Sequence, residues 1–253
     1  MAALDRLVQR KDARTMPRLP QIARPISLMA FVLLGFATAR AGATSERWIV
    51  VSDIDDTIRQ TGVVKDIPPA NPSGAHPKNL AHLLGDPFRK WTVVPGMADK
   101  YGQWRAHDRA EFVYLSRGPW CYRARLTDFF WAGGFPHGCI CLNPIFPFAP
   151  PNFKDAAIRK ILRAHPGCAF VFLGDSGEAD PEIYGRLARD FPAEVRRIFI
   201  RNVTPHDPPL RYRRAFAGTP GSLFTQASQL PSALDRPAKL PARHDQTSPA
   251  HRR

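Results

Sequence analysis

The sequence predicts an α/β fold in which a Rossmann-like parallel sheet has helices on both of its faces. Two observations lead to this prediction. Residues 45–202 contain four short runs of apolar residues, and between these runs apolar residues recur at helical spacing. Strands that are apolar at almost every position are typical of parallel sheets buried under helices. Ligands in such folds bind beyond the carboxyl ends of the strands.

The four predicted strands are rich in β-branched and aromatic residues and are bounded by polar or turn residues, as buried strands are. Three of them end at polar residues, namely Asp53, Ser116 and Asp175. Because the carboxyl ends of parallel strands meet at one edge, we expect these three side chains to lie together. The four runs are Trp48–Val51, Glu111–Leu115, Ala169–Leu173 and Arg197–Ile200.

Two helices are predicted from apolar residues that recur on one helical face. The first helix is predicted to begin at Lys154, and the second precedes the last strand. The apolar positions are Ala157, Ile158, Ile161 and Leu162 in the first helix and Ile183, Leu187 and Phe191 in the second.

The composition is that of a globular protein, with 44% hydrophobic and 23% charged residues, and it excludes a wholly disordered chain. The net charge is +14, and residues 1–43 and 203–253 each contribute +5 of it. Neither end has the paired Cys/His spacing of a zinc finger or a basic region followed by heptads, so no specific nucleic-acid partner is predicted. An anionic membrane surface is the alternative partner for this charge.

The two ends are predicted to lie outside the folded domain, which we assign to residues 44–203. Residues 1–43 place basic residues, an apolar stretch and small residues in the order of a signal peptide or an N-terminal anchor. That order predicts a protein that is exported (periplasmic or secreted) or membrane-associated, and a cytoplasmic one if the segment is not a signal. Residues 204–253 contain eight prolines without an apolar period, which predicts a basic, disordered tail.

The first strand is followed by two aspartates at alternate positions, Asp53 and Asp55. Two carboxylates at this spacing can divide labour, one as a nucleophile and the other as a proton carrier. A carboxylate that faces a phosphate needs a cation, and Mg²⁺ prefers oxygen ligands. Taken singly, however, such acids also cap helices, Ser116 fits an ordinary turn and Lys154 fits a solvated helix. The order of all these residues along the chain favours a phosphate site.

These motifs resemble those of the haloacid dehalogenase-like phosphatase superfamily and, more closely, the App1 family of phosphatidate phosphatases. The first motif is similar to residues 52–58 and the second to residues 114–120. The last motif is similar to residues 174–184 and continues into residues 198–203. Where the App1 family usually has Asn-Ser after the motif serine, this chain has Arg117-Gly118, which adds a positive charge near the site.

The resemblance implies a role for each candidate residue. Asp53 would be the nucleophile and Asp55 the general acid and base, while Ser116 and Lys154 would bind the phosphoryl group. It also implies a small cap or none. Residues 58–111 lie between the first two motifs and are expected to hold whatever lies over the site.

A metal site is implied by the same resemblance. Mg²⁺ would be bound by Asp53, the Asp55 carbonyl and Asp175, with Asp180 supporting the site. The predicted function is therefore a Mg²⁺-dependent phosphatase that converts phosphatidate to diacylglycerol and phosphate through an aspartyl-phosphate. The alternatives are a phosphatase of a soluble or macromolecular phosphomonoester and a non-catalytic protein that binds anionic lipid on the same fold.

Overall fold

The computed structural model describes residues 46–61, 91–145 and 149–234. Their strands are β1 (Trp48–Asp53), β2 (Arg59–Gln60), β3 (Thr92–Val93), β4 (Glu111–Pro119), β5 (Cys139–Asn143), β6 (Ala169–Asp175), β7 (Val195–Arg201) and β8 (Gly221–Phe224). Their helices are α1 (Met97–His107), α2 (Arg123–Ala132), α3 (Phe153–Ala164), α4 (Asp180–Asp190) and α5 (Pro209–Ala215), with 3-10 turns at Trp120–Tyr122 and Ala227–Gln229.

Six of the strands form one sheet in the order β5-β4-β1-β6-β7-β8, and every neighbouring pair is parallel. Successive side chains of a strand point to opposite faces, and β1 shows the result. Val50 packs in one core with residues of α1 and α2. Ile49 and Val51 pack in a second core with residues of α3 and α4. The predicted α/β fold, with helices on both faces of a parallel sheet, is confirmed.

The two predicted helices are also confirmed. All four apolar positions of α3 are buried in the second core, and so is Leu187 of α4. Ile183 and Phe191 are only partly buried and pack at the margin of the same core. Lys154 lies in the first turn of α3, which places its side chain at the carboxyl edge of the sheet.

The prediction of a disordered tail from residue 204 is wrong for residues 204–234. Pro209 does not interrupt structure but occupies the first turn of α5, where its missing N–H costs no helical hydrogen bond. The chain then adds β8 to the sheet beside β7. Beyond β8, the indole N–H of Trp104 donates to the Pro231 carbonyl at 2.9 Å, and Leu230 and Leu234 are buried in the first core. Residues 235–253 lie outside the described residues.

Two other predictions fall wholly or partly outside the described residues. The signal peptide or anchor over residues 1–43 stays a prediction. Of the segment expected to lie over the site, residues 62–90 are outside the described ranges, and the rest forms β2, β3 and α1. Across the part of the chain that the structure describes, no helix has the length and apolar character needed to cross a bilayer.

The contact between α4 and α5 can be tested at Gly185, where a Cβ atom would lie 1.9 Å from the Ala215 carbonyl oxygen. Gly185→Ala is expected to lower the free energy of unfolding by about 1–3 kcal/mol, because backbone must move to admit the methyl group. Urea unfolding measures the change. The matched control is Gly102→Ala in α1, where a Cβ meets no atom within 4 Å and a gain of up to about 1 kcal/mol is expected. Equal stability of the two variants would contradict the packing of α5 on α4.

Candidate active site

The carboxyl ends of β1, β4 and β6 meet at one edge of the sheet, and the predicted site residues gather there. Asp53 and Asp175 are the last residues of β1 and β6, which are neighbouring strands. Ser116 lies in β4 on the other side of β1, just before an irregularity in the pairing with β5. The topology, and not the distance along the chain, brings these three side chains together.

A buried lysine joins the acidic residues of this edge. The Lys154 side chain is 1% exposed, and its Nζ lies 2.7 Å from Asp53 Oδ1 and 2.5 Å from Asp180 Oδ1. Glu178 Oε2 is a more distant neighbour at 3.6 Å. A buried ammonium is stable only when carboxylates compensate its charge, so these residues form one electrostatic unit.

Asp180 reaches this unit because Gly174 leaves room for it. Asp180 is the first residue of α4, and its Oδ2 accepts a hydrogen bond from the Asp175 backbone N–H at 3.4 Å. A Cβ atom at position 174 would lie 2.4 Å from that same carboxylate oxygen. A glycine at this point of β6 is therefore what permits the approach of Asp180 to the strand end.

Three buried carboxylates could hold a metal ion. One ligand oxygen from each of Asp53, Asp175 and Asp180 lies within 4.8 Å of the others. Asp175 Oδ1 accepts from the Gly177 N–H at 2.6 Å, whereas Asp175 Oδ2 is buried without a hydrogen-bond partner. A buried carboxylate oxygen without a partner is costly, and a divalent cation with oxygen ligands would supply one. The donor set thus fits a hard divalent cation.

Burial dominates the protonation of these acids. It raises the pKa of Asp53 from 3.8 to about 7, with Lys154 opposing the change and Asp180 and Asp55 adding to it. Burial, followed by the charges of Asp180 and Asp53, holds the pKa of Asp175 well above its ordinary value. For Lys154, burial favours the neutral amine, but Asp180, Asp53 and Asp175 outweigh it and raise its pKa. The site therefore has an excess of negative groups over its single buried ammonium.

Asp55 and Ser116 form a second group beside the first. The Ser116 hydroxyl donates to Asp55 Oδ2 at 3.3 Å and accepts from the Gly118 N–H at 2.9 Å. Arg59 donates from Nε to Asp55 Oδ1 at 2.7 Å, and its guanidinium stacks on Trp91. Asp55 and Ser116 are thus joined by one hydrogen bond, whereas Lys154 contacts a separate set of acids, Asp53, Asp180 and Glu178.

The turn after Asp55 is held by residues that the sequence analysis did not single out. Asp56 has φ +56°, a left-handed conformation that few residues other than glycine adopt. Its carbonyl accepts from Arg201 Nη1 at 2.6 Å, and its carboxylate accepts from the Thr61 N–H at 2.9 Å. Arg201 ends β7, so this contact ties the Asp53–Asp56 segment across the sheet edge to a distant strand.

Arg211 of α5 holds the loop that carries the acidic residues. Its guanidinium donates to the carbonyls of Ser176 and Glu178, each at 2.6 Å, and to the carboxylates of Glu182 at 2.7 Å and Asp207 at 2.6 Å. The side chain is almost fully buried. Nothing in the sequence distinguishes Arg211 from the neighbouring arginines. Its role follows from its partners, which lie in the loop before α4, in α4 itself and in the loop before α5.

Comparison with known proteins gives a consistent assignment for most of this domain. A family model described as the catalytic domain of phosphatidate phosphatase APP1 matches residues 48–202. Phosphatidate phosphatase APP1 of Saccharomyces cerevisiae is 31% identical over 161 residues, which are 60% of this chain and 25% of that protein. An uncharacterized protein of Schizosaccharomyces pombe is 29% identical over 161 residues, which are 61% of this chain and 25% of that protein. The match thus spans about a quarter of the length of these relatives.

The acidic cluster predicts a pH-dependent response of stability to divalent cations. Since the pKa of Asp53 is raised from 3.8 to about 7, the chelator-treated protein should lose stability as pH rises through that interval, and the loss should be complete above about pH 7. Mg²⁺ at about 100 times its Kd should raise the free energy of unfolding by about 2.7 kcal/mol. The increase should be largest above pH 7, where the carboxylates are deprotonated. Thermal unfolding with Mg²⁺ or with chelator measures both effects.

Asp175→Asn is the matched variant for this measurement, because it keeps the shape of the side chain and removes the charge of the partnerless oxygen. It should lose most of the response to Mg²⁺. A wild-type protein with the same melting temperature in Mg²⁺ and in chelator at about pH 8 would contradict a cation site here.

Arg211 predicts a second effect on cation binding. Arg211→Met should weaken Mn²⁺ binding by about tenfold, because the loop between Asp175 and Asp180 loses its restraint and two buried carbonyls lose their donors. Calorimetric titration of the full chain with Mn²⁺ measures the Kd. Arg211→Lys keeps the positive charge but has fewer hydrogen-bond donors on a single nitrogen, so it should give an intermediate value.

Arg213→Met is the matched control for Arg211→Met, because Arg213 lies on the same short helix and is exposed. Its Kd for Mn²⁺ should equal that of the wild type. If Arg211→Met folds and binds Mn²⁺ as tightly as Arg213→Met does, Arg211 does not position the acidic loop.

Proposed function

Because this chain belongs to the family of the phosphatidate phosphatase APP1 catalytic domain, we propose that it hydrolyses phosphatidate to diacylglycerol and phosphate in a Mg²⁺-dependent reaction. The observation that carries the proposal is the buried unit at the end of β1, in which Lys154 contacts Asp53 and Asp180 while Asp175 keeps one oxygen without a partner. Such a unit offers carboxylate nucleophiles, a cation site and a fixed positive charge at one sheet edge.

Asp53 is the nucleophile in this proposal. Lys154 holds its Oδ1 at 2.7 Å and so fixes the orientation of the carboxylate. An Asp53 oxygen attacks phosphorus, the bond from phosphorus to the lipid oxygen breaks, and an aspartyl-phosphate forms. Mg²⁺ bound by Asp53, the Asp55 carbonyl and Asp175, with Asp180 in support, would neutralise charge on the phosphoryl oxygens and on the carboxylates.

Asp55 is the proton carrier in this proposal. As an acid it donates a proton to the departing lipid oxygen, which leaves as diacylglycerol. As a base it then takes a proton from water, whose oxygen attacks the phosphorus of the aspartyl-phosphate and releases phosphate. The contacts of Asp55 with Arg59 and Ser116 keep its carboxylate at the sheet edge during both steps.

Ser116 and Lys154 bind the phosphoryl group in the same scheme. The Ser116 hydroxyl lies at the end of β4 and can turn from Asp55 to a phosphoryl oxygen, while the Lys154 ammonium supplies positive charge from the opposite side of Asp53. Phosphoryl transfer depends mainly on position and charge compensation, and this set of residues provides both.

The decisive experiment measures Mg²⁺-dependent phosphate release by the full chain from phosphatidate in mixed micelles and from a soluble aryl phosphate. Asp53→Asn should lower release from phosphatidate by at least about 10³-fold, because the amide cannot serve as the nucleophile. Asp99→Asn, an exposed aspartate on α1, is the matched control and should keep wild-type activity.

The outcomes separate the candidate functions. Release from phosphatidate that saturates with surface concentration and is lost in Asp53→Asn supports the proposal. Release from the aryl phosphate alone would refute the lipid substrate and favour another phosphomonoester. Absence of release from both substrates, with the fold intact by circular dichroism, would refute the enzymatic function.

A further inference from the structure

Large apolar side chains are exposed at four positions of the described residues. They are Trp120 with 59% of its surface exposed, Trp131 with 76%, Ile145 with 54% and Leu210 with 44%. Single exposed apolar residues are common on soluble proteins, so their number carries no argument. The positions of these residues do carry one, because three of the four lie at the carboxyl edge of the sheet, where the candidate site lies.

Trp120 and Ile145 lie together on one side of the site. Trp120 directly follows Pro119, the last residue of β4, and Ile145 comes two residues after Asn143, the last residue of β5. Pro119 and Asn143 are paired in the sheet, so the two strands end side by side. The buried Asn143 side chain accepts from the Ile145 N–H at 3.0 Å, which fixes the backbone that presents Ile145 to solvent.

Leu210 lies on the other side of the site. It is in the first turn of α5, which follows the carboxyl end of β7. The next residue, Arg211, contacts the Ser176 carbonyl directly after Asp175, so this turn adjoins the acidic loop. In the sheet order β5-β4-β1-β6-β7-β8, the strands before Trp120 and Leu210 therefore lie on opposite sides of β1 and β6.

Positive charge accompanies these apolar residues. Leu210, Arg213 and Arg214 are spaced i, i+3 and i+4, so they share one face of α5, and both arginines are exposed. Arg117 lies beside Ser116 and is partly exposed. Two acidic side chains on the α5 side, Glu182 and Asp207, accept hydrogen bonds from Arg211 and so offset its charge.

We propose that the carboxyl edge of the sheet is a membrane-facing surface. The apolar rim (Trp120, Ile145 and Leu210) enters the headgroup region of an anionic bilayer, and Arg213 and Arg214 contact lipid phosphates. Tryptophan is favoured at such interfaces because its ring is apolar and its N–H is polar. The inference rests on the proposed function, since hydrolysis of a lipid phosphate requires the site to open toward the bilayer.

Vesicle binding tests the rim without hydrolysis. The full chain carrying Asp53→Asn is mixed with vesicles of equal parts phosphatidylcholine and phosphatidylglycerol, which contain no phosphatidate, and the bound fraction is measured by sedimentation. Adding Trp120→Ala, Ile145→Ala and Leu210→Ala together should lower the partition coefficient by about tenfold. Vesicles of phosphatidylcholine alone should bind the protein less tightly, because the arginines lose their anionic partners.

Trp131→Ala is the matched control. Trp131 is more exposed than Trp120, but it ends α2 at the opposite edge of the sheet, where its ring contacts His137 just before β5 begins. Its substitution should leave the partition coefficient unchanged. Equal loss of binding in the control and in the rim variant would overturn the proposal.

Fluorescence locates the inserted residue. Vesicles with brominated acyl chains quench tryptophans near the bilayer, so Trp120→Phe should remove most of the quenching and Trp131→Phe should leave it intact. If the rim variant keeps the wild-type partition coefficient and Trp120 is not quenched, any binding comes from the basic ends of the chain. That result would overturn the proposal. Because phosphatidate and turnover are absent, failure here is distinct from failure of the hydrolysis assay.

Discussion

The buried ammonium of Lys154 is the constraint on which the rest of the site depends. It cannot be buried without carboxylates, and Asp53 and Asp180 cannot be buried together without it. The fold meets this requirement with three elements that are far apart in the chain: the end of β1, the start of α3 and the start of α4. Catalytic geometry and local stability therefore rest on the same contacts, and a change in one alters the other.

The partners of the two motif aspartates separate their chemical roles. Asp53 is buried beside an ammonium and two further acids, and burial raises its pKa. Asp55 is only partly buried and contacts an arginine and a serine hydroxyl. Two residues of one short loop thus occupy different electrostatic environments, as the proposed roles of nucleophile and proton carrier require.

The sequence allowed prediction of β1, β4, β6 and β7 and of the acids at their ends, because buried strands and strand-end residues leave local patterns. It did not allow prediction of the C-terminal part of the domain. There, β8 has only four residues, and the buried Phe224, Ala227, Leu230 and Leu234 are spaced as on a helix although they belong to a strand, a 3-10 turn and the chain after it. Nor could a local pattern identify Arg211 or Arg201, because their roles come from contacts between segments that only the folded topology brings together.

The pairing of β8 with β7 also bears on how this domain can be divided. The match to the family model ends at residue 202, one residue past β7. In the whole domain, the backbone N–H groups of Ile198 and Asn202 donate to Pro220 and Phe224. A fragment cut at the family boundary would turn β7 from the next-to-last strand into a new, unprotected edge, and such edges pair with other chains. The stretch that the family model matches is therefore shorter than the sheet, whose last strand lies beyond it.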